Sequence, residues 1–461
     1  MRIAHALALV ACSSASLGSA CSSEAPPPRA SVADEAPLVE AVPVPPRRRA
    51  PPAPSDDDPL AGLDDIEALR LEEPDVPGSL GGRPTPPPPG GCAPQGSVAT
   101  RLWPKPGPTA VVAVGDDGFV AAGYAGTGDP GEASETLFAV AFSPRRPPRP
   151  LYASPLEAPL GNRRQPPGLA ALEGGRVAFA SVDGEGHVAL RRASLRGRVE
   201  APARLDDALA DRRFPPAVAA KGTSTYVAYV GTPLREGPTP DAPRLRLVRL
   251  NAALRVAGRW NPAPSGMGGV APTFADGRLA FVEAREAISA LLVGELEQDA
   301  TGEVLTPLAN VYDPVAIALA EVHGTEGTRT LVGYTAVGQG ARTAVGLVQV
   351  GPGGASPPTA LVPGEGYGRL GVDVAAGPEA ALFVADAPRG EDATSPRRIR
   401  AQLVRVGARA PALGPEVPLS FPGEDQRFAH VARHGDGTYA IVASGEDAVY
   451  AHFLRCDDGG S

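Results

Sequence analysis

From Gly96 onward the chain repeats one pattern: an alanine-rich apolar run, a turn carrying glycine, then a second run that is apolar at nearly every position. It reads Val111-Val112-Ala113-Val114 then Phe119-Val120-Ala121-Ala122, Leu169-Ala170-Ala171 then Val177-Ala178-Phe179, and Val218-Ala219-Ala220 then Tyr226-Val227-Ala228-Tyr229. It returns as Val374-Ala375-Ala376 then Leu382-Phe383-Val384, and as Val431-Ala432 then Tyr439-Ala440-Ile441-Val442. Fainter copies place their second runs at Leu279-Ala280-Phe281-Val282 and Leu331-Val332-Gly333-Tyr334. Short apolar runs bounded by glycine turns predict strands, and helical periodicity is almost absent, so residues 96–461 are expected to form an all-β domain.

With Phe119, Val177, Tyr226, Leu279, Leu331, Leu382 and Tyr439 as markers, the intervals are 58, 49, 53, 52, 51 and 57 residues. A third run follows in each unit, as in Leu247-Val248-Arg249-Leu250, and usually a weaker fourth, as in Pro202-Ala203-Arg204-Leu205. Near-even repeats of four strands predict a β-propeller of seven blades, with the small alanines on the crowded strand nearest the axis. Two or three β-sandwiches in series would be the alternative, but no interdomain linkers break the spacing.

The seventh unit ends at Val449-Tyr450-Ala451-His452-Phe453-Leu454 without a fourth strand, whereas Ser97 to Leu102 precedes the first unit without a partner. Letting the N-terminal strand complete the last blade closes the ring. In that antiparallel pair the end of the third strand meets the start of the fourth, at Cys456 and Cys92, so a disulfide between them is expected.

The other two cysteines lie near the N-terminus. Met1-Arg2, an apolar run over Ile3 to Val10 and small residues through Ala20 have the order of a secretory signal. Leu17-Gly18-Ser19-Ala20-Cys21 resembles the lipobox of bacterial lipoproteins, which implies a signal peptide over 1–20 and a lipid on Cys21. Leu9-Val10-Ala11-Cys12 is a second match, and ordinary cleavage a third route. Lipidation of Cys21 leaves an even pair of thiols, Cys92 and Cys456, as suits an oxidising compartment. Ser22 after the cysteine leans toward the outer membrane by the same resemblance. The expected location is therefore extracytoplasmic, lipid-anchored to a bacterial membrane.

Residues 21–95 differ in kind. Prolines occupy 19 of the 74 positions from Ser22 to Gln95, and 13 acidic residues face 6 arginines. Proline removes donors and fixes φ, so this stretch is expected to be a disordered tether. Within it, Asp58 to Glu73 carries Leu60, Leu63, Ile66 and Leu69 at helix-like spacing, as a docking island or a transient helix in a solvated linker. The net charge of −9 and the absence of a nucleic-acid motif exclude nucleic acid as a partner, and the 41 arginines against two lysines read as codon bias.

Motifs for chemistry are sparse. His430 and His434 are four apart but flank a predicted strand, without a Glu or Cys to complete a metal set. Ser181 to Gly186 faintly resembles the Asp-box of sialidases, with its glycine displaced and no tryptophan following, and reads as a hairpin turn. No nucleophile elbow, phosphate loop or complete calcium loop occurs. No metal or cofactor is expected, and catalytic residues cannot be assigned.

Loop length points further. Long connections between second and third strands carry Asp129 and Glu132, Glu236 and Asp241, and Arg389, Glu391 and Asp392. Connections between units, which leave a propeller on the same face, carry Arg163, Arg212 and Arg427, with Tyr367 nearby. Binding residues tend to sit on loops held by a rigid scaffold. The expectation is a monomeric, membrane-anchored, non-catalytic module for protein or polysaccharide. The alternative is a secreted carbohydrate-active hydrolase or lyase with its site at the propeller centre.

Overall fold

The computed structural model describes residues 86–459, except 97–98, 116–117, 126–135, 156–165, 207, 212–213, 215, 234–243, 264–268, 276, 286–287, 300–302, 309–315, 325–326, 338–341, 362–365, 368–370, 389–395, 420 and 424. Cys12, Cys21 and the Asp58 to Glu73 island lie outside the described residues. Among the described residues there is no helix; every regular element is a strand.

The strands form seven antiparallel sheets in chain order. Blade 1 runs outward through Thr109–Val114, Gly118–Ala125, Thr136–Ser143 and Arg146–Pro155, and blade 2 through Gly168–Leu172, Arg176–Val182, Val188–Ser194 and Ala203–Leu205. Blade 3 comprises Ala217–Lys221, Ser224–Pro233, Arg244–Leu250 and Val256–Trp260, and blade 4 Gly269–Ala275, Arg278–Arg285, Ile288–Glu295 and Glu303–Leu308. Blade 5 begins with Ile317–Gly324, Gly327–Val337 and Arg342–Gly351, and blade 6 comprises Val372–Ala376, Ala380–Pro388, Arg397–Arg405 and Ala412–Pro418. Blade 7 contributes Arg427–Arg433, Thr438–Ser444 and Val449–Cys456. All seven sequence markers fall on second strands. The inner strand of each blade touches both neighbouring inner strands, and that of blade 7 touches that of blade 1, so the ring is closed.

The core explains why the second strands are apolar throughout. It is divided into seven clusters, each lying in the seam between two adjacent blades. Side chains alternate across a strand, so Phe119 and Ala121 pack toward blade 7 while Val120 and Ala122 pack toward blade 2. A blade between two others has no solvent face. Close packing sets residue size as well as polarity: a Cβ on Gly333 would lie 2.7 Å from the Phe383 ring across the seam between blades 5 and 6.

The ring is completed by two short strands where one was expected. Cys92–Pro94 pairs with the end of Val449–Cys456, Cys92 facing Cys456, and Thr100–Trp103 pairs with its start. The disulfide Cys92–Cys456 forms at that first rung. The completing edge thus begins at Cys92, inside the proline-rich segment. Beyond it the chain is held by Trp103, whose ring stacks on Phe138 of blade 1 at 4.5 Å, and by Asp457, which accepts from the Gly90 amide at 2.7 Å.

Two blades depart from four plain strands. In blade 5 the outer edge breaks into Gly354–Ala355, Thr359–Ala360 and Gly366–Tyr367, all pairing with Arg342–Gly351. Pro357 and Pro358 remove ladder donors there. In blade 3 Ala208–Ala210 pairs with the far end of Ser224–Pro233, beyond the reach of Ala217–Lys221.

Candidate functional site

The axis holds a cavity of about 560 Å³ lined by the inner strands of all seven blades. Gly168, Ala217, Ile317 and Arg427, which line it, are the first residues of their inner strands. The cavity therefore opens on the face where units connect, which is also where second strands end and third strands begin. Its chemistry is one-sided. Among the described residues, blades 1 to 5 supply glycine, alanine, valine, leucine, isoleucine, proline and phenylalanine with one hydroxyl, Thr273, whereas every ionisable lining residue belongs to blade 6 or blade 7.

Asp386 ends the apolar run Ala380 to Ala385 and is about 1% exposed. Its Oδ1 accepts from the Gly371 amide, its Oδ2 from the Phe428 amide at 3.0 Å, and the Arg397 guanidinium lies 3.5 Å from Oδ2. A buried carboxylate is tolerable when paired and hydrogen-bonded in this way. It also fixes an unusual backbone. Phe428 has φ of 59°, left-handed and unfavourable for a bulky residue. The strand register shifts between Arg427 and His430, so the inner strand of blade 7 carries a bulge at the cavity mouth. Asp386 holds that bulge from the neighbouring blade.

One turn of the pleat further in, Asp373 replaces the apolar residue that other inner strands place there. Its Oδ2 accepts from the Val431 amide at 2.9 Å and lies 3.1 Å from His430 Nδ1. The carboxylate thereby orients the imidazole, and both residues of this pair line the cavity.

The arginines are braced from behind. Arg427 donates through Nε and Nη2 to Asp425 Oδ2, at 2.6 and 2.5 Å, while its side chain remains 51% exposed. Burial raises the Asp425 carboxyl, but hydrogen bonds from Arg427 and from the Arg397 amide outweigh it and hold the group below the ordinary aspartate value. Deeper in, Arg433 donates to Asp458 at 2.5 Å, and the Tyr439 hydroxyl donates to the same oxygen at 2.7 Å. Burial, then the Asp458 contact, pushes the Tyr439 hydroxyl far up; Arg433 is raised because Asp458 outweighs its own desolvation.

Of the residues singled out in the sequence, Arg427 stands at the cavity mouth, and the backbone of Tyr367 pairs with Arg342 on the outer edge of blade 5. Asp129, Glu132, Arg163, Arg212, Glu236, Asp241, Arg389, Glu391 and Asp392 lie outside the described residues. His430 and His434 do not converge: His434 sits beyond the strand end, its Nε2 3.1 Å from the Gly115 carbonyl. No group of three or more metal-ligating side chains forms among the described residues. Ser181 to Gly186 is a strand end and turn, in which Asp183 Oδ1 accepts from the amides of Glu185 and His187.

Asp373, Asp386, Arg397, Phe428 and His430 were missed as a set. Their signal was present: Asp373 interrupts Val372-Asp373-Val374, and Asp386 closes an apolar run. Nothing in the spacing tied either to His430, some 57 and 44 positions away.

No protein-family model and no curated protein matches the chain. Solved structures do. The BP39L lectin of Burkholderia pseudomallei is similar over 77% of this chain and 97% of its own, at 14% identity and a TM-score of 0.52. An α-L-arabinanase of Penicillium chrysogenum aligns over 77% and 97% at 10% identity, with a TM-score of 0.42. An intramolecular trans-sialidase of Ruminococcus gnavus aligns over 78% and 95% at 10% identity, also at 0.42. At these identities the likeness speaks to the fold alone. The class is that of a β-propeller, with seven blades, an axial cavity and a covalently clasped ring.

Proposed function

We propose that the chain is an extracytoplasmic, non-catalytic binding module that receives the end of a glycan in the axial cavity. In this reading Cys21 carries the lipid, the outer membrane holds it, and the segment from Cys21 up to the clasp strand at Cys92 keeps a monomeric propeller off the surface. The observation that carries the proposal is the division of the cavity wall. A sugar has a rim of hydroxyls and faces of C–H groups; here a hydrogen-bonding wall from blades 6 and 7 opposes an apolar wall of Pro166, Pro167, Pro216 and Val218. A volume near 560 Å³ falls in the ordinary range for small-ligand sites. That the propeller neighbour at TM-score 0.52 is a lectin makes glycans the first ligands to try.

The same geometry weighs against hydrolysis. Glycosidases of the usual kind need two carboxyl groups, about 5 to 9.5 Å apart and free to act on the bond. Among the described residues, only Asp373 and Asp386 line the cavity as carboxylates. Asp386 has both oxygens engaged and is almost wholly buried, so it positions the wall and does not react.

A glycan array followed by calorimetry on the mature chain tests the reading. Arg427→Ala and His430→Ala should each weaken capture by roughly tenfold, the scale of one or two lost hydrogen bonds to a charged partner. Capture unchanged in both would count heavily against the cavity. Released sugars from a polysaccharide panel at high protein load would favour the hydrolase instead. Shortening the connections that carry Asp129, Glu236 and Arg389 asks whether the rim contributes.

A further inference from the structure

The cavity wall is more selective than its inventory of charges suggests. Arg397, Arg427, Arg433 and His430 all line it. The carboxylates that balance two of these arginines do not. Asp425, which holds Arg427, and Asp458, which holds Arg433, both stand outside the lining. Each anion grips its arginine from outside the lining, while the arginine itself lines the cavity. The two carboxylates that do line the cavity are turned elsewhere. Asp386 is spent on the Gly371 and Phe428 amides and Arg397, and Asp373 on the Val431 amide and His430. The most exposed charge on this wall is the Arg427 guanidinium, at 51%, against 27% for the Asp373 side chain.

From this placement we infer that the cavity selects an anionic ligand, a sugar bearing a carboxylate, with its acid group against Arg427 and Arg397 and its C–H face against the apolar wall. The inference rests on the glycan reading above and names the class of glycan. Fixed, planar guanidinium donors suit a carboxylate better than a hydroxyl, since the bond is charge-assisted and takes two parallel N–H donors. Holding the arginines by carboxylates set behind the wall lowers the ordering cost of binding, because the donors are already in place.

The experiment compares matched pairs on the full mature protein: trigalacturonate against galactotriose, and sialyllactose against lactose, by calorimetry at low and high salt. In at least one pair the acidic member should bind at least tenfold more tightly, and should lose most of that margin as salt screens the contact. Arg427→Ala should erase the margin, weakening the acidic member far more than the neutral one, and Arg427→Lys should restore only part of it, since lysine keeps the charge and not the fork. Thermal melts of both variants separate lost binding from lost fold. Equal or tighter binding of the neutral members would overturn the anionic preference and leave the glycan site standing. Failure of all four probes and of the array would overturn both.

Discussion

Removing the clasp should lower stability by an amount the topology sets. Cys92 and Cys456 close a loop of 364 residues. In the chain-entropy account, a loop of that length gives an upper value of about 6 kcal/mol for the bridge, through restriction of the unfolded chain. The native edge does not depend on the bridge alone. The Cys92–Pro94 and Thr100–Trp103 ladders remain, as do Trp103 on Phe138, and Asp457 on the Gly90 amide and on Arg405 at 3.0 Å. The double variant Cys92→Ser/Cys456→Ser should therefore fold, and lose about 3 to 6 kcal/mol. An unfolding entropy near 2.1 cal/mol/K per residue over 364 residues amounts to about 0.8 kcal/mol/K, so the melting midpoint should fall by roughly 4 to 8 °C. Calorimetry of wild type with and without reductant, beside the double variant, provides the check. Reduced wild type should match the variant, and the variant should ignore reductant. A midpoint shift below about 1 °C would refute the entropic argument. So would a variant that still responds to reductant.

Three further outcomes follow from single sites. Asp386→Ala leaves the Gly371 and Phe428 amides and the Arg397 charge without their acceptor; denaturant unfolding should show a loss of about 3 kcal/mol, and a loss under 1 would contradict the role given to this carboxylate. Gly333→Ala drives a Cβ into the Phe383 ring across a seam; a cost of about 1 to 3 kcal/mol is expected, partly recovered by adding Phe383→Leu. His452 is buried beside Phe421, and desolvation lowers its pKa from the usual 6.5. Its neutral form is favoured in the folded state, so its contribution is full above about pH 6.5 and is lost as pH falls through the folded value. The melting midpoint should drop between pH 7 and pH 5, and His452→Gln should flatten that slope.

How much could be read from the sequence depended on how local the cause was. Each second strand is buried on both faces by its own neighbours, so Phe119 to Ala122 or Tyr439 to Val442 announce themselves as unbroken apolar runs, and their repeat gives the blade number. The clasp was legible because the repeat left one strand short at the end and one over at the start. Its division into Cys92–Pro94 and Thr100–Trp103 was not, since the pairing is set by the shape of the partner strand Val449–Cys456. The cavity was the least legible part. Asp373, Asp386, Arg397 and Arg427 come from four strands of two blades, and only closure of the ring brings them to one wall. Loop length drew attention to the face on which the cavity opens, with Arg427 on it. A charged residue inside an inner strand otherwise built from alanine and valine would have been the sharper signal.

The position of that wall follows from how the ring is joined. Where blades 6 and 7 meet, the first two strands of blade 6 are stitched to the inner strand of blade 7 by side chains: Asp373 to the Val431 amide, and Asp386 to the Phe428 amide. The adjoining connection adds Asp425 to the Arg397 amide at 3.0 Å, and Gln426 to the backbone of Arg397 and Ile399. At its outer edge the same region carries the disulfide, with Arg405 of blade 6 bound to Asp457 just past the last strand. Apolar contact resists separation of two blades but tolerates sliding; directional bonds to backbone amides do not. A binding wall made from two blades needs its donors held to a fraction of an ångström. The seam stitched at the axis and clasped at the rim is where this ring can hold donors from two blades in fixed register, and among the described residues its ionisable cavity residues are confined there.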